Sequence, residues 1–308
     1  MKGEEAVQSC RPAAGASAAA ASIISLLTNF EKREVVVRRF AIAALALGVG
    51  FSSSAFSQGR TIEETLVLKD PTVSEPGKWK VGGAAEYWYI KGKLDIYDQN
   101  NNKVGEQTFH FNQPGFNLFA GYGDWTLQGT HRSGKGDLDA RLNNGTAYSG
   151  QVEETDNEFT LRYLARRWSA SWVTPYVIVG YTSTETKRDY TLIAGPAWAC
   201  SPNASLVVKK TYKGPEAGLG GIFPFSETFG MRVDGRLAYY SGTKEEGNCQ
   251  KRQGKGLGGS ATLTGYANLP AGFNLQVGGK FTALNGGSDV GFLGRGGLFG
   301  MLGWTHMF

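Results

Sequence analysis

The stretch Phe273-Asn274-Leu275-Gln276-Val277-Gly278-Gly279-Lys280-Phe281-Thr282-Ala283 decides how the chain is read. Phe273, Leu275, Val277, Gly279, Phe281 and Ala283 form one series, and Asn274, Gln276, Gly278, Lys280 and Thr282 form the other. Successive side chains of a β-strand point to opposite faces, so a strict two-residue period describes a strand with one apolar and one polar face. The period recurs outward from this stretch. Phe229, Met231, Val233, Gly235, Leu237 and Tyr239 alternate with Arg232, Asp234 and Arg236. Phe159, Leu161, Tyr163 and Ala165 alternate with Thr160, Arg162 and Arg166, and Trp79, Val81, Gly83, Ala85, Tyr87 and Tyr89 with Lys80, Glu86 and Trp88.

No helical period separates these runs, which excludes a parallel sheet with crossover helices and leaves antiparallel connection. Short connections fall at 121–124, 167–171, 224–228 and 269–272. Long polar ones fall at 98–107, 134–151, 187–207, 243–256 and 285–294. Short turns alternating with long loops are the pattern of an all-β, transmembrane, up-and-down antiparallel barrel, with short turns in the periplasm and long loops outside the cell. About ten strands are expected, with eight and twelve as alternatives: 79–94, 108–121, 125–138, 155–167, 172–186, 208–223, 229–242, 257–269, 273–284 and 295–308.

Composition agrees. The 308 residues include 44 glycines, and aromatics reach 12%. The mean hydropathy of −0.27 suits a barrel, in which only alternate residues meet lipid. After Gly50 no run of eighteen apolar residues exists, which excludes a transmembrane helix there. The net charge of +5 is scattered among carboxylates, so no basic patch for nucleic acid is formed.

Residues 1–57 read as a targeting segment. Arg33, Arg38 and Arg39 precede an apolar run from Phe40 to Phe51, and Ala55-Phe56-Ser57 is a cleavage site of small-residue type, as in a Sec signal peptide. The alanine-rich stretch before it is an N-terminal extension, with the translation start expected near Val35, Val36 or Val37. Residues 58–78, with Pro71 and Pro76, are a periplasmic lead-in, and 79–308 the barrel. In an oxidising compartment the remaining cysteines, Cys200 and Cys249, are a candidate disulfide.

The chain ends Gly303-Trp304-Thr305-His306-Met307-Phe308. This resembles the C-terminal β-signal of bacterial outer-membrane β-barrel proteins, in which alternating apolar residues close on an aromatic; His306 departs from the pattern. The resemblance covers 79–308 in architecture and the last eight residues in motif, and it picks out no subfamily. It implies an integral outer-membrane protein of a Gram-negative cell envelope. The barrel assembly machinery would be a partner in biogenesis, with outer-membrane lipids, lipopolysaccharide included, around the folded chain. A monomer or weak oligomer is expected. Tyr122, Trp125, Trp168, Trp172, Phe223, Phe225, Phe229, Phe273, Trp304 and Phe308 cluster beside the short turns as a girdle at the membrane interface.

Parity points Lys80, Glu86, Arg132, Arg162, Arg166, Glu216, Arg232, Asp234, Arg236 and Lys280 into the lumen, with Glu158 among them. A ten-stranded interior is only slightly wider than one that side chains fill, so these charges either pair across it or line a narrow anion-preferring channel. Three histidines, in no metal-ligand spacing, argue against a metal site, and no cofactor is expected. Enzymatic alternatives are two. Asp95 and Asp98, with His110, invite comparison with the omptin proteases. His131-Arg132-Ser133 resembles the outward-facing His-x-Ser pair of outer-membrane phospholipase A and lipid A deacylases, with Asn143 or Asn144 to orient the histidine. Lys209, Lys210, Lys213, Lys251, Arg252 and Lys255 flank the cysteines as loop charges able to meet lipopolysaccharide phosphates. The first expectation remains a non-enzymatic structural or surface-interacting barrel.

Overall fold

The computed structural model describes residues 70–97, 103–170, 172–194, 205–247, 249, 251–287 and 289–308. The signal segment, the first part of the lead-in, Asp98 and Cys200 lie outside them. Ten strands form one closed antiparallel barrel: β1 Trp79–Tyr97, β2 Lys103–Tyr122, β3 Trp125–Leu142, β4 Ala147–Leu164, β5 Thr174–Ala194, β6 Ser205–Pro224, β7 Phe229–Glu246, β8 Arg252–Asn268, β9 Phe273–Asn285 and β10 Phe292–Met307. Each strand pairs with its sequence neighbours, and β1 closes on β10. Two backbone hydrogen bonds of 2.9 Å between Trp79 and Phe308 seal the seam. Closure leaves no free sheet edge.

At the end carrying the short turns, strand limits fall within three residues of those read from the sequence. The tightest turn places Gly123 at φ +57°, a left-handed position that glycine takes without steric cost. At the opposite end the strands run on. Residues 134–151, expected as a loop, are instead the tips of β3 and β4 joined through 143–146. The reason is physical: beyond the apolar band both faces can be polar, so hydropathy stops alternating while the backbone ladder continues unaffected. The ladder is interrupted beside Pro114 between β2 and β3, and beside Pro215 between β6 and β7, because proline has no N–H to give.

The wall separates two chemistries. Outward, Trp79, Tyr122, Trp125, Phe229, Phe273, Trp304 and Phe308 stand exposed around the short-turn end. A second aromatic belt, which the sequence reading did not separate, is formed by Tyr87, Tyr89, Phe159, Tyr181, Tyr239 and Phe281. On β7 the belts are ten residues apart, Phe229 to Tyr239. At about 3.4 Å per residue and a tilt of about 40°, that is roughly 25 Å.

Inward, the barrel is filled in layers. Val73, Leu164, Tyr176, Ile178, Ile222 and Tyr266 form an apolar cluster near the short turns. A second cluster, including Trp88, Ile90, Phe109, Phe111, Leu138 and Tyr148, packs toward the loop end. Tyr212, Tyr240, Leu284, Val290 and Leu293 form a third, which draws the β9–β10 connection inward. Charged side chains lie between.

Candidate functional site

The middle layer centres on Glu158, on the interior face of β4. Lys280 Nζ donates to its Oε2 at 2.6 Å and Arg132 Nη2 to the same atom at 3.3 Å, while Arg236 reaches Oε1. Arg236 also donates to Glu216 and to Asp234, each at 2.8 Å. Arg132 lies 3.6 Å from Glu86 and stacks over Trp88 at 4.5 Å. Deeper toward the loop end, Arg295 pairs with Glu154 and, at 2.8 Å, with Asp156. The layer leaves a cavity of only about 80 Å³, which Trp88, Phe299, Arg162, Tyr176 and Arg232 also line. Buried charges survive only when paired and hydrogen-bonded, and here they are cross-linked between strands far apart around the barrel.

The described end of the lead-in, from Asp70, enters this interior. Asp70, Thr72, Val73 and Ser74 are buried within the short-turn end. Arg232 Nη1 donates to Asp70 Oδ1 at 3.1 Å and to Thr72 Oγ1 at 3.0 Å. Lys80 Nζ donates to the carbonyls of Asp70 and Val73 at 3.1 and 3.0 Å. Thr126 Oγ1 donates to the Thr72 carbonyl at 3.0 Å, and Arg162 bonds Thr72. Burial by itself would raise the Asp70 carboxyl. Arg232, Arg162 and the Thr72 hydrogen bonds overcome that and hold it below its ordinary value of 3.8. Arg166, read as a lumen residue of β4, lies past the strand in a single 3-10 turn, where it binds Asp124 and the Ser74 carbonyl.

On the outer wall, His131 and Ser133 share one face of β3, as parity requires. Asn144 does not orient the histidine. Its Oδ1 accepts the Thr146 N–H at 3.0 Å inside the β3–β4 turn. The residue that does is Asn157, the register partner of His131 on β4, with Oδ1 2.8 Å from His131 Nδ1. An amide oxygen only accepts, so in this bond Nδ1 is the donor and Nε2 points away from Asn157. Ser133 Oγ lies 3.1 Å from Thr155 Oγ1. Cross-strand register was the missing signal: Asn157 could have been found only once β3 and β4 were aligned residue by residue.

His110 lies 3.8 Å from Asp137, both exposed on the outer wall. Lys210, counted with the loop charges, is an interior residue of β6 and buried. Cys249 packs against the loop-end apolar cluster. His306 sits in the outer aromatic row, its ring centroid 5.7 Å from Trp304 and 5.8 Å from Phe308. Trp172 and Phe223 pair at 5.8 Å, and Trp168 projects from the 3-10 turn. Among the described residues no three His, Cys, Asp or Glu side chains are grouped as a metal site.

No family model and no curated protein matches the chain. Among solved structures it is similar to the outer membrane protease OmpT from Escherichia coli, at 11% identity and a TM-score of 0.48, over 83% of this chain and 100% of that one. It is also similar to the translocator domain of autotransporter NalP from Neisseria meningitidis, at 11% and 0.44, over 92% and 99%. A third is the outer membrane protein OprG from Pseudomonas aeruginosa, at 11% and 0.34, over 77% and 98%. No activity transfers at this distance.

Proposed function

We propose that the protein is a non-enzymatic outer-membrane barrel with a plugged, charge-filled lumen, acting as a structural or surface-interacting element of the cell envelope. The observation that carries this reading is the filled interior, in which an inserted lead-in, a paired charge layer and loop-end apolar clusters succeed one another. A narrow anion-preferring channel would need its arginines to face open water. Arg132, Arg162, Arg232 and Arg236 instead bond carboxylates, hydroxyls or carbonyls. Membrane insertion is supported by the two outward aromatic belts, whose separation matches the apolar height of such barrels, about 25 Å. Export through the Sec signal, assembly by way of the terminal Phe308 and a Cys200–Cys249 disulfide belong to the same proposal.

Brominated lipids test the insertion. Quenching of tryptophan fluorescence should be strong for bromines near the headgroup and weak for those at the bilayer centre. Uniformly weak quenching, or a mature chain freely soluble without detergent, refutes it.

The His131–Asn157 bond favours a second reading, an outer-membrane lipid hydrolase. In it Ser133 Oγ attacks the carbonyl of an acyl ester while His131 Nε2 takes the serine proton and returns it to the departing alcohol as the acyl C–O bond breaks; water, activated by the same imidazole, then releases the fatty acid, and Asn157 holds the ring. The pair stands where the outward row turns from Gly129 and Phe159 to polar residues, the depth of a lipid ester bond. Ester cleavage abolished by Ser133→Ala and reduced by Asn157→Ala would support it; a barrel inert toward micellar acyl esters removes it.

A further inference from the structure

Near the loop end, the interior wall carries more cations than carboxylates among the described residues. Thr186 on β5, Lys210 on β6, Lys244 on β7 and Arg252 on β8 are successive register partners in one row. Arg188 is two residues from Thr186 on the same face, diagonal to Lys210. The relative exposures are 8% for Arg188, 5% for Lys210, 1% for Lys244 and 6% for Glu246, so water does not neutralise them. Glu246 is the one carboxylate of the group, and it is bonded to Lys244 at 2.6 Å. Glu154, further along the row, is taken by Arg295. Among the described residues, Arg188 and Lys210 have no ion-pair partner. Arg188 rests its guanidinium 6.0 Å from the Phe109 ring, with Nε unbonded. Thr186 Oγ1, between Lys210 and Glu154 in the row, is unbonded as well.

Like charges directly opposite each other on adjacent strands repel, and buried unpaired cations are far costlier. Arg188 and Lys210 are two such cations on neighbouring strands, beside the Lys244–Glu246 pair, and a bound anion would complete the group. We propose that Arg188, Lys210 and Lys244, with the Thr186 hydroxyl, form an interior binding site for a phosphate-class oxyanion. A guanidinium and two ammonium groups, buried on the interior face of three successive strands, supply the charge-assisted hydrogen bonds that a tetrahedral oxyanion accepts. The ligand is a small free anion, because the donors lie inside the wall rather than on its lipid face. This goes beyond the plugged-barrel reading and requires only the closed fold.

Equilibrium dialysis of the full-length folded chain, in detergent free of lipopolysaccharide, against labelled orthophosphate at constant sodium chloride tests the site. The expected result is saturable uptake of one phosphate per barrel. Lys210→Met and Arg188→Gln should each weaken it about ten- to a hundredfold. Glu246→Gln, which removes the competing carboxylate, should strengthen it. A merely structural role would move none of these constants in opposite directions. Removing an unpaired buried cation relieves repulsion, so the first two variants are expected to fold, which a heat-modifiable gel shift checks. The site is overturned if wild-type protein takes up no phosphate saturably, if the variants bind as wild type does, or if binding appears only on adding lipopolysaccharide, which would place the phosphate on a lipid headgroup at the rim.

Discussion

Two layers of the same interior handle charge in opposite ways. In the middle, Glu86, Glu154, Asp156, Glu158, Glu216 and Asp234 face Arg132, Arg236, Lys280 and Arg295, and each of these cations has a carboxylate partner. Toward the loop end, Arg188, Lys210 and Lys244 have Glu246 as their one carboxylate partner among the described residues. The difference teaches that a plugged barrel need not be neutral layer by layer. The middle layer is held by direct bonds that staple opposite strands. The loop-end layer lacks such bonds for Arg188 and Lys210, and phosphate uptake tests whether an anion completes it.

The comparison can be broken most forcefully at its centre. Glu158→Gln leaves Lys280, Arg132 and Arg236 sharing a neutral acceptor, and should cost about 3–5 kcal/mol, read as a lowered urea midpoint of the detergent-folded barrel. A loss below 1 kcal/mol would mean that water, not Glu158, solvates those cations. Asp70→Asn should cost about 2 kcal/mol, since it removes the charged acceptor of Arg232 while leaving the fold of the wall. Its pH counterpart has a definite sign. The Asp70 carboxyl is held below 3.8, so its contribution is complete above that value and is lost as pH falls through the lower folded one. Exchange protection of the Thr72 amide, which donates to Asp70 Oδ1 at 2.8 Å, should therefore vanish in acid before the strand amides open. Lys210→Met, in phosphate-free buffer, should stabilise by about 1 kcal/mol, the opposite sign to Glu158→Gln. The smallest effect belongs to the outer wall. Glu153, on β4 like Glu158 but facing outward to Lys135 and Lys187, should change stability by less than about 1 kcal/mol when made Gln.

Much of this was legible in the sequence because a strand's period is two. Phe273 to Ala283 and Phe229 to Tyr239 assign their own faces, and the short turns declare themselves through Gly123 and Pro270-Ala271-Gly272. Parity alone put Arg132, Arg236 and Lys280 inside. What parity cannot supply is register. Asn157 for Asn144, and the meeting of Lys210 with Lys244, both depend on which residue lies opposite which across strands. Hydropathy failed where the strands leave the apolar band, so the tips of β3 and β4 read as a loop. The burial of Asp70 to Ser74 was not legible for another reason: the stretch has no period, and only the cations inside the barrel reveal that it folds inward.

The central claim is that this interior is filled, with the lead-in anchored in one end. Current across planar bilayers holding the purified mature chain tests it most directly. The account predicts no steady conductance from wild-type protein at neutral pH. A stable, ohmic, anion-selective current through the unmodified barrel would contradict it.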